Sequence, residues 1–413
     1  MRNRKVKLTA SGKAKKGKEA ISPSFFLRSC LGGKKLFFLF LVLGGVLAYP
    51  QIPPANPWWY TMERGKFLFR NGDYGNALLA FEDARRQRQG MYAAMEQDLI
   101  NFLSIPEVRR LGDSLGVLEA YIADRGEVSA AAALRELYYR VPRASLNDSA
   151  NRALVELSRL KDYPEAEYWI GETYRAEGEL GVALGQFEKA YAQRAALETP
   201  GFDIELLYRI ADLNRIRHEY TKMERQLLEI LEGTARDGGP RDSLWTGTGG
   251  TRRFARDSMA RILENDGVGR FLTVYRYNNT GAERAHRLLG FYYFATGRQS
   301  PGPAKDHLIF AFLIQSTVLL EEVSRGRFDY AFTGLEALLE EAERKPSLLS
   351  YLEECEYYKT AYYLGNALYG DGKARAAREF WTFLAGRETA GEWRGRARAQ
   401  LQSPFVEKAV ENP

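Results

Sequence analysis

From Trp58 onward apolar residues recur at spacings of three and four within a background of Ala, Leu, Glu and Arg, and no sustained Val/Ile/Thr alternation interrupts them. That pattern predicts an all-α body. Upstream the texture changes: Leu36 to Ala48 is an unbroken apolar run, preceded by Lys34-Lys35 and followed by the uncharged, proline-rich stretch Tyr49 to Pro57 and by Trp58-Trp59-Tyr60. Read as a spanning helix, residues 36–52 rise about 25 Å, slightly short of a hydrocarbon core of about 30 Å, and snorkelling lysines cover the difference. Read as a signal peptide, the run ends in Val46-Leu47-Ala48, a small-x-small cleavage site, but 35 residues precede it, more than a signal peptide carries. The long leader favours an uncleaved signal anchor. The Lys/Arg excess lies wholly on its N-terminal side, which puts the tail in the cytoplasm and residues 61–413 outside it.

Within the body, Tyr168 to Ala190 has the clearest internal logic. Gly171 and Ala183 are small where two antiparallel helices approach, Tyr174 and Phe187 fill the space between them, and Gly178 lets the chain turn. With Ile170, Leu180 and Ala190 these residues resemble the tetratricopeptide repeat (TPR) position for position. The spacing returns at Gly65, Leu68, Gly72, Tyr74, Ala77, Phe81 and Ala84, and at Leu364, Gly365, Leu368, Gly372, Ala374, Ala377 and Trp381. Weaker copies surround Gly126, His218 and Gly326, the last with Phe328, Ala331 and Leu335. Another, Leu289-Gly290 with Tyr293 and Gly297, carries the insertion Ser300-Pro-Gly-Pro303, so that Ala304, Leu308 and Ala311 resume two residues late.

The turns are 29 residues apart from 297 to 326 and 79 apart from 218 to 297, against about 34 in a regular array. The resemblance therefore implies a divergent α-solenoid with extra helices between some repeats, one of them at 90–104. The expected organisation is a basic cytoplasmic tail (1–35), a transmembrane signal anchor (36–52), a Pro-rich linker (53–57) and an N-terminal TPR-like array (58–233). A Gly/Thr-rich linker or insertion (234–253) precedes a C-terminal array (254–413), which a polar helix at 389–402 with Arg394, Arg396, Arg398 and Gln400 closes.

Composition changes this picture in three ways. The first 35 residues hold eleven Lys/Arg against the single acid Glu19, so of 59 bases and 53 acids the rest of the chain keeps 48 and 52, a net charge of −4. That excludes a basic nucleic-acid-binding body and leaves a tail suited to the anionic cytoplasmic leaflet. Cys30 and Cys355 are too far apart in sequence to suggest a disulfide framework, and the three histidines are scattered, so neither a metal nor a cofactor is expected. His-Glu-x-x-His, Gly-x-Ser-x-Gly and Cys-x-x-Cys are all absent, and the Gly/Thr-rich stretch lacks the strand and the Gly-Lys-Ser/Thr of a phosphate loop, so no catalysis is expected. The carboxylates beside Cys355 raise its thiol pKa, which argues against a nucleophile.

What the resemblance implies about function is binding. In TPR proteins the concave face is lined by first-helix positions, which here map onto Met62, Lys66, Phe69 and Arg70; Tyr168, Glu172 and Arg175; Arg287, Phe291 and Phe294; and Tyr362, Asn366 and Tyr369. Aromatic and arginine side chains are the usual interface anchors, although Phe291 and Phe294 equally suit packing against a following helix. The Lys/Asn clamp of chaperone-tail-binding TPR domains is absent, Met62 and Lys66 standing in its place. The layout resembles bacterial inner-membrane TPR proteins of envelope machines, among them translocon-associated chaperones and the anchored TPR proteins of the spirochaete periplasmic flagellar collar. The expected partners are envelope proteins and, through residues 36–52 and the tail, the lipid bilayer. The competing expectation is an envelope glycan-binding or peptidoglycan-processing accessory protein, with Trp and Tyr stacking on sugars.

Overall fold

The computed structural model describes residues 57–104, 146–233, 250–297, 302–327, 329–407 and 410. The basic tail, the expected anchor, most of the Pro-rich linker, the weak repeat at Gly126 and residues 234–249 lie outside them. All regular structure among the described residues is helical, with no strand. In chain order the helices are α1 (Trp58–Arg70), α2 (Tyr74–Ser104), α3 (Leu146–Leu160), α4 (Pro164–Ala176), α5 (Leu180–Ala192), α6 (Phe202–Ile216), α7 (Tyr220–Gly233) and α8 (Gly250–Val274). They continue with α9 (Thr280–Thr296), α10 (Gly302–Gly326), α11 (Leu335–Glu343), α12 (Pro346–Glu354), α13 (Tyr357–Gly370), α14 (Ala374–Ala385) and α15 (Glu392–Gln402).

The densest packing is between consecutive helices: α1 with α2, α4 with α5, α6 with α7, α9 with α10, and α13 with α14. Four of these hairpins follow one rule. A small residue on the first helix receives a large one from the second: a Cβ on Gly65 would lie 2.5 Å from Phe81, one on Gly171 2.8 Å from Phe187, one on Gly290 2.7 Å from Leu308, and one on Gly365 2.9 Å from Trp381. The two partners are 16 residues apart except in the α9–α10 pair, where they are 18 apart, matching the two-residue insertion. All five turn through positive φ, at Gly72 (79°), Gly178 (87°), His218 (61°), Gly297 (53°) and Gly372 (76°), and the four glycine turns come seven residues after the small position. At four of these turns the residue after the turn donates its N–H back to the carbonyl five residues earlier, as in Asp73 to Leu68 at 3.0 Å and Lys373 to Leu368 at 2.8 Å, which closes the helix end in a Schellman motif.

Two expected elements differ. The helix expected separately at 90–104 is the distal part of α2, which runs unbroken for 31 residues, since Gly90 alone among strong helix formers does not end a helix. The copy around Gly326 is not a hairpin: α10 ends there, and α11 begins only at Leu335.

Apolar packing starts with Met62, Ala77, Phe81, Tyr163 and Ile170 where α1 and α2 meet α4, and continues through Tyr168, Phe187 and Leu206. From Leu207 to Val410 it is one continuous cluster, so α7 and α9, on either side of the Gly/Thr-rich stretch, share a core. At its centre is α10, the one helix among the described residues long and apolar enough to cross a membrane, with 72% of its most apolar stretch buried in the protein. Its polar side chains are bonded by neighbouring helices: Ser316 Oγ lies 2.9 Å from Tyr357 Oη, Thr317 Oγ1 accepts the Tyr277 N–H at 3.2 Å, and Lys305 Nζ reaches Asp371 at 2.7 Å. A lipid-facing helix has no such partners, so α10 is a core helix.

Candidate functional site

The structure divides the thirteen expected partner-binding positions. Met62, Tyr168, Glu172, Arg287, Phe291, Tyr362 and Asn366 are buried, and they do not line an open face. The reason is visible in their contacts, because each sits on the line along which one hairpin's first helix meets the next element. Met62 packs under α4. The Tyr168 ring meets Phe202 at 4.8 Å, and its hydroxyl accepts from Arg209 of α6 at 3.3 Å. Phe291 and Phe294 meet Tyr363 of α13 at 5.6 and 5.4 Å. Tyr362 meets Trp393 of α15 at 5.4 Å, and Asn366 Oδ1 accepts from Gln400 Nε2 at 2.9 Å. The closing helix thus covers the last candidate face with its own Trp393 and Gln400, and Gln400, expected on a solvated surface, is wholly buried.

What remains accessible is concentrated in the N-terminal hairpins. Lys66 and Phe69 on α1 adjoin Trp169 on α4, with Lys66 Nζ 5.8 Å from the indole centroid and the Phe69 ring 5.5 Å away, and Arg70 is exposed at the end of α1. Beyond Trp169 the buried carboxylate of Glu172 is shared by two arginines: Arg175 Nη2 at 2.6 Å on one oxygen and Arg209 Nε at 2.9 Å on the other. Arg209 also reaches Glu205 at 3.0 Å. Burial pushes the Tyr168 phenol up and the Glu172 charge adds to it, so its hydroxyl keeps its proton beside these groups. The result is a strip of two aromatic rings and four cations on three successive first helices, two of the cations, Arg175 and Arg209, being held by one carboxylate. It offers ring faces and guanidinium donors, the groups that anchor a protein segment.

The C-terminal candidates form a different object. Arg287 holds Glu283 at 3.0 Å and pairs with Glu356, which also accepts from Lys359 Nζ at 2.9 Å. Gln315 Nε2 ties Glu283 (2.6 Å) to the Cys355 carbonyl (2.7 Å), and the Lys359 ammonium lies 4.8 Å from the Phe291 ring centroid. Two acids balance two bases here, and the set locks α9, α10 and α13 together. Tyr369, half-buried, meets the Trp381 ring at 5.6 Å in a tilted arrangement. The Cys355 thiol is pushed up, chiefly by burial and secondarily by Glu283, so the direction expected from sequence holds for a different cause.

Two features escaped the sequence. Arg88 is fully buried with its guanidinium 4.9 Å from the Trp58 ring and 4.4 Å from that of Tyr163, and it pairs with Glu198. The signal was present, since Arg88 continues the stripe Ala77, Phe81, Ala84 along α2 and on to Tyr92. His286 and His307 lie together in the core, Nδ1 to Nδ1 at 3.0 Å, one donating and the other accepting. Burial holds His286 well below its ordinary value, with the His307 charge second, and holds His307 down to about 3, with Arg256 second.

No protein-family model matches the chain. Over 343 residues it is 23% identical to an uncharacterized protein of Treponema pallidum (strain Nichols), a match that covers 83% of this chain and 89% of that protein. The likeness extends along both chains and is not confined to one motif.

Proposed function

We propose that the chain is a non-catalytic scaffold, an α-solenoid of divergent TPR hairpins anchored in the inner membrane by residues 36–52, with its body in the periplasm. On this reading it holds protein partners during assembly of an envelope complex, a flagellar collar or a translocon-associated machine. One observation carries the proposal. Five hairpins share the same turn, four of them with the same small-to-large contact, and the first helices of the N-terminal three carry an aromatic and cationic strip. That a relative occurs in Treponema pallidum, a spirochaete, favours the collar. The glycan reading has less support, because Trp58, Trp169, Trp381 and Trp393 are engaged with rings of the protein itself.

Photocrosslinking in cells from positions 69, 70 and 175 is expected to capture one envelope protein, and capture only from the second-helix faces would sink the assignment. Arg70→Glu is expected to weaken that capture while leaving stability within about 0.5 kcal/mol, as exposed substitutions do. Protein purified from membranes is expected to keep its full mass of 46.9 kDa, and a chain beginning at Tyr49 would show that the anchor is cleaved.

A further inference from the structure

The first helix has two faces of opposite character. Trp58 points inward, its ring 5.2 Å from Tyr163, whereas Trp59 (56%), Tyr60 (49%) and Phe67 (61%) are among the most exposed large apolar side chains described. At 100° per residue Trp59, Tyr60 and Phe67 fall within about 100° of one another, and Arg64 flanks them at one edge. Glu63, on the same face, is neutralised by Lys66 at 2.7 Å. The far end of the body contrasts with this, since α15 turns Arg398 outward and keeps Trp393 and Gln400 inward.

We propose that this outer face of α1 lies in the headgroup region of the bilayer's outer leaflet, so that the N-terminal hairpin rests on the membrane. The inference rests on the reading of 36–52 as a spanning segment. Only nine residues, 49–57, separate the apolar run from α1, and at full extension they reach about 30 Å, which keeps the first turn of α1 near the surface. None of the nine is charged, so nothing in that stretch draws it away from lipid. Tryptophan and tyrosine are the residues that settle at the boundary of acyl chain and headgroup, and the flanking Arg64 meets phosphate there. A second copy or a protein partner needs no such pairing of interfacial rings with cations at the point where a membrane segment ends.

The test uses the full chain in phosphatidylethanolamine/phosphatidylglycerol vesicles, with and without bromine on the acyl chains near the headgroup, and reads tryptophan emission. Brominated lipid is expected to lower the emission of the wild type. Trp59→Phe is expected to lose at least half of that decrease and Trp58→Phe to keep it. Vesicle flotation after carbonate extraction is the companion measurement. If the chain floats and Trp59→Phe is quenched as much as the wild type, α1 stands off the membrane and the proposal fails alone. If the chain does not float, the anchor fails and takes the proposal with it. A photocrosslinker at position 67 that captures a second copy or another protein in place of lipid also overturns it.

Discussion

Gly171 on α4 and Gly185 on α5 belong to the same hairpin but play different parts in it. Both are helical glycines, but a Cβ on Gly171 meets Phe187 at 2.8 Å, whereas one on Gly185 meets nothing within 4 Å. Gly171→Ala is therefore expected to cost about 1 to 3 kcal/mol through overpacking, and Gly185→Ala to gain up to about 1 kcal/mol from helix propensity alone. Urea unfolding distinguishes the two, and equal effects would show that the close approach carries no energy. Arg88 extends the argument to a charge. Its cost of burial is offset by the Leu160 carbonyl, Glu198 and surrounding rings, so Arg88→Ala is expected to cost about 3 kcal/mol. Glu198→Ala leaves the fully buried guanidinium without its counter-charge and is expected to cost about 1 to 3 kcal/mol although Glu198 itself is 48% exposed.

At the scale of elements, the hairpin was legible because its determinants are local: a small residue, a turn seven positions on and a large residue sixteen on, all within one stretch of chain. Which first-helix residues stay accessible was not legible for the complementary reason. Whether Tyr168 or Tyr362 faces solvent depends on where α6 and α15 lie, and helical periodicity along α4 and α13 says only that these residues share a side. The meeting of His286 with His307 was hidden likewise, being set by how α9 crosses α10. That meeting makes a prediction. Both imidazoles resist protonation in the fold but accept it near 6.5 when unfolded, so the unfolded chain binds more protons and stability falls as pH drops below 6.5. From pH 7 to 5 the loss from His307 amounts to about 2 kcal/mol, and His286 contributes in the same direction. Glu165, Glu283 and Asp306, held above their ordinary values first by burial, pull the other way. The comparison that isolates the pair is thus wild type against His307→Asn, whose stability should fall about 2 kcal/mol less over that range.

The molecule as a whole joins two kinds of packing. The N-terminal hairpins meet their neighbours in sequence, as in a stack, while α8 to α15 gather around α10. Hairpins on the two sides of residues 234–249 are stitched together by Tyr208, whose hydroxyl donates to the Gly281 carbonyl at 2.6 Å and accepts from the Ala285 N–H at 3.0 Å, and by Tyr293, which donates to Glu224 at 2.6 Å. The consequence is that the peptide chain between Gly233 and Gly250 is dispensable as a tether. Expressed as two separate polypeptides, one ending at residue 233 and the other beginning at 250, the halves are expected to find each other and copurify as a one-to-one heterodimer that melts in a single transition, so the protein can be reconstituted by complementation.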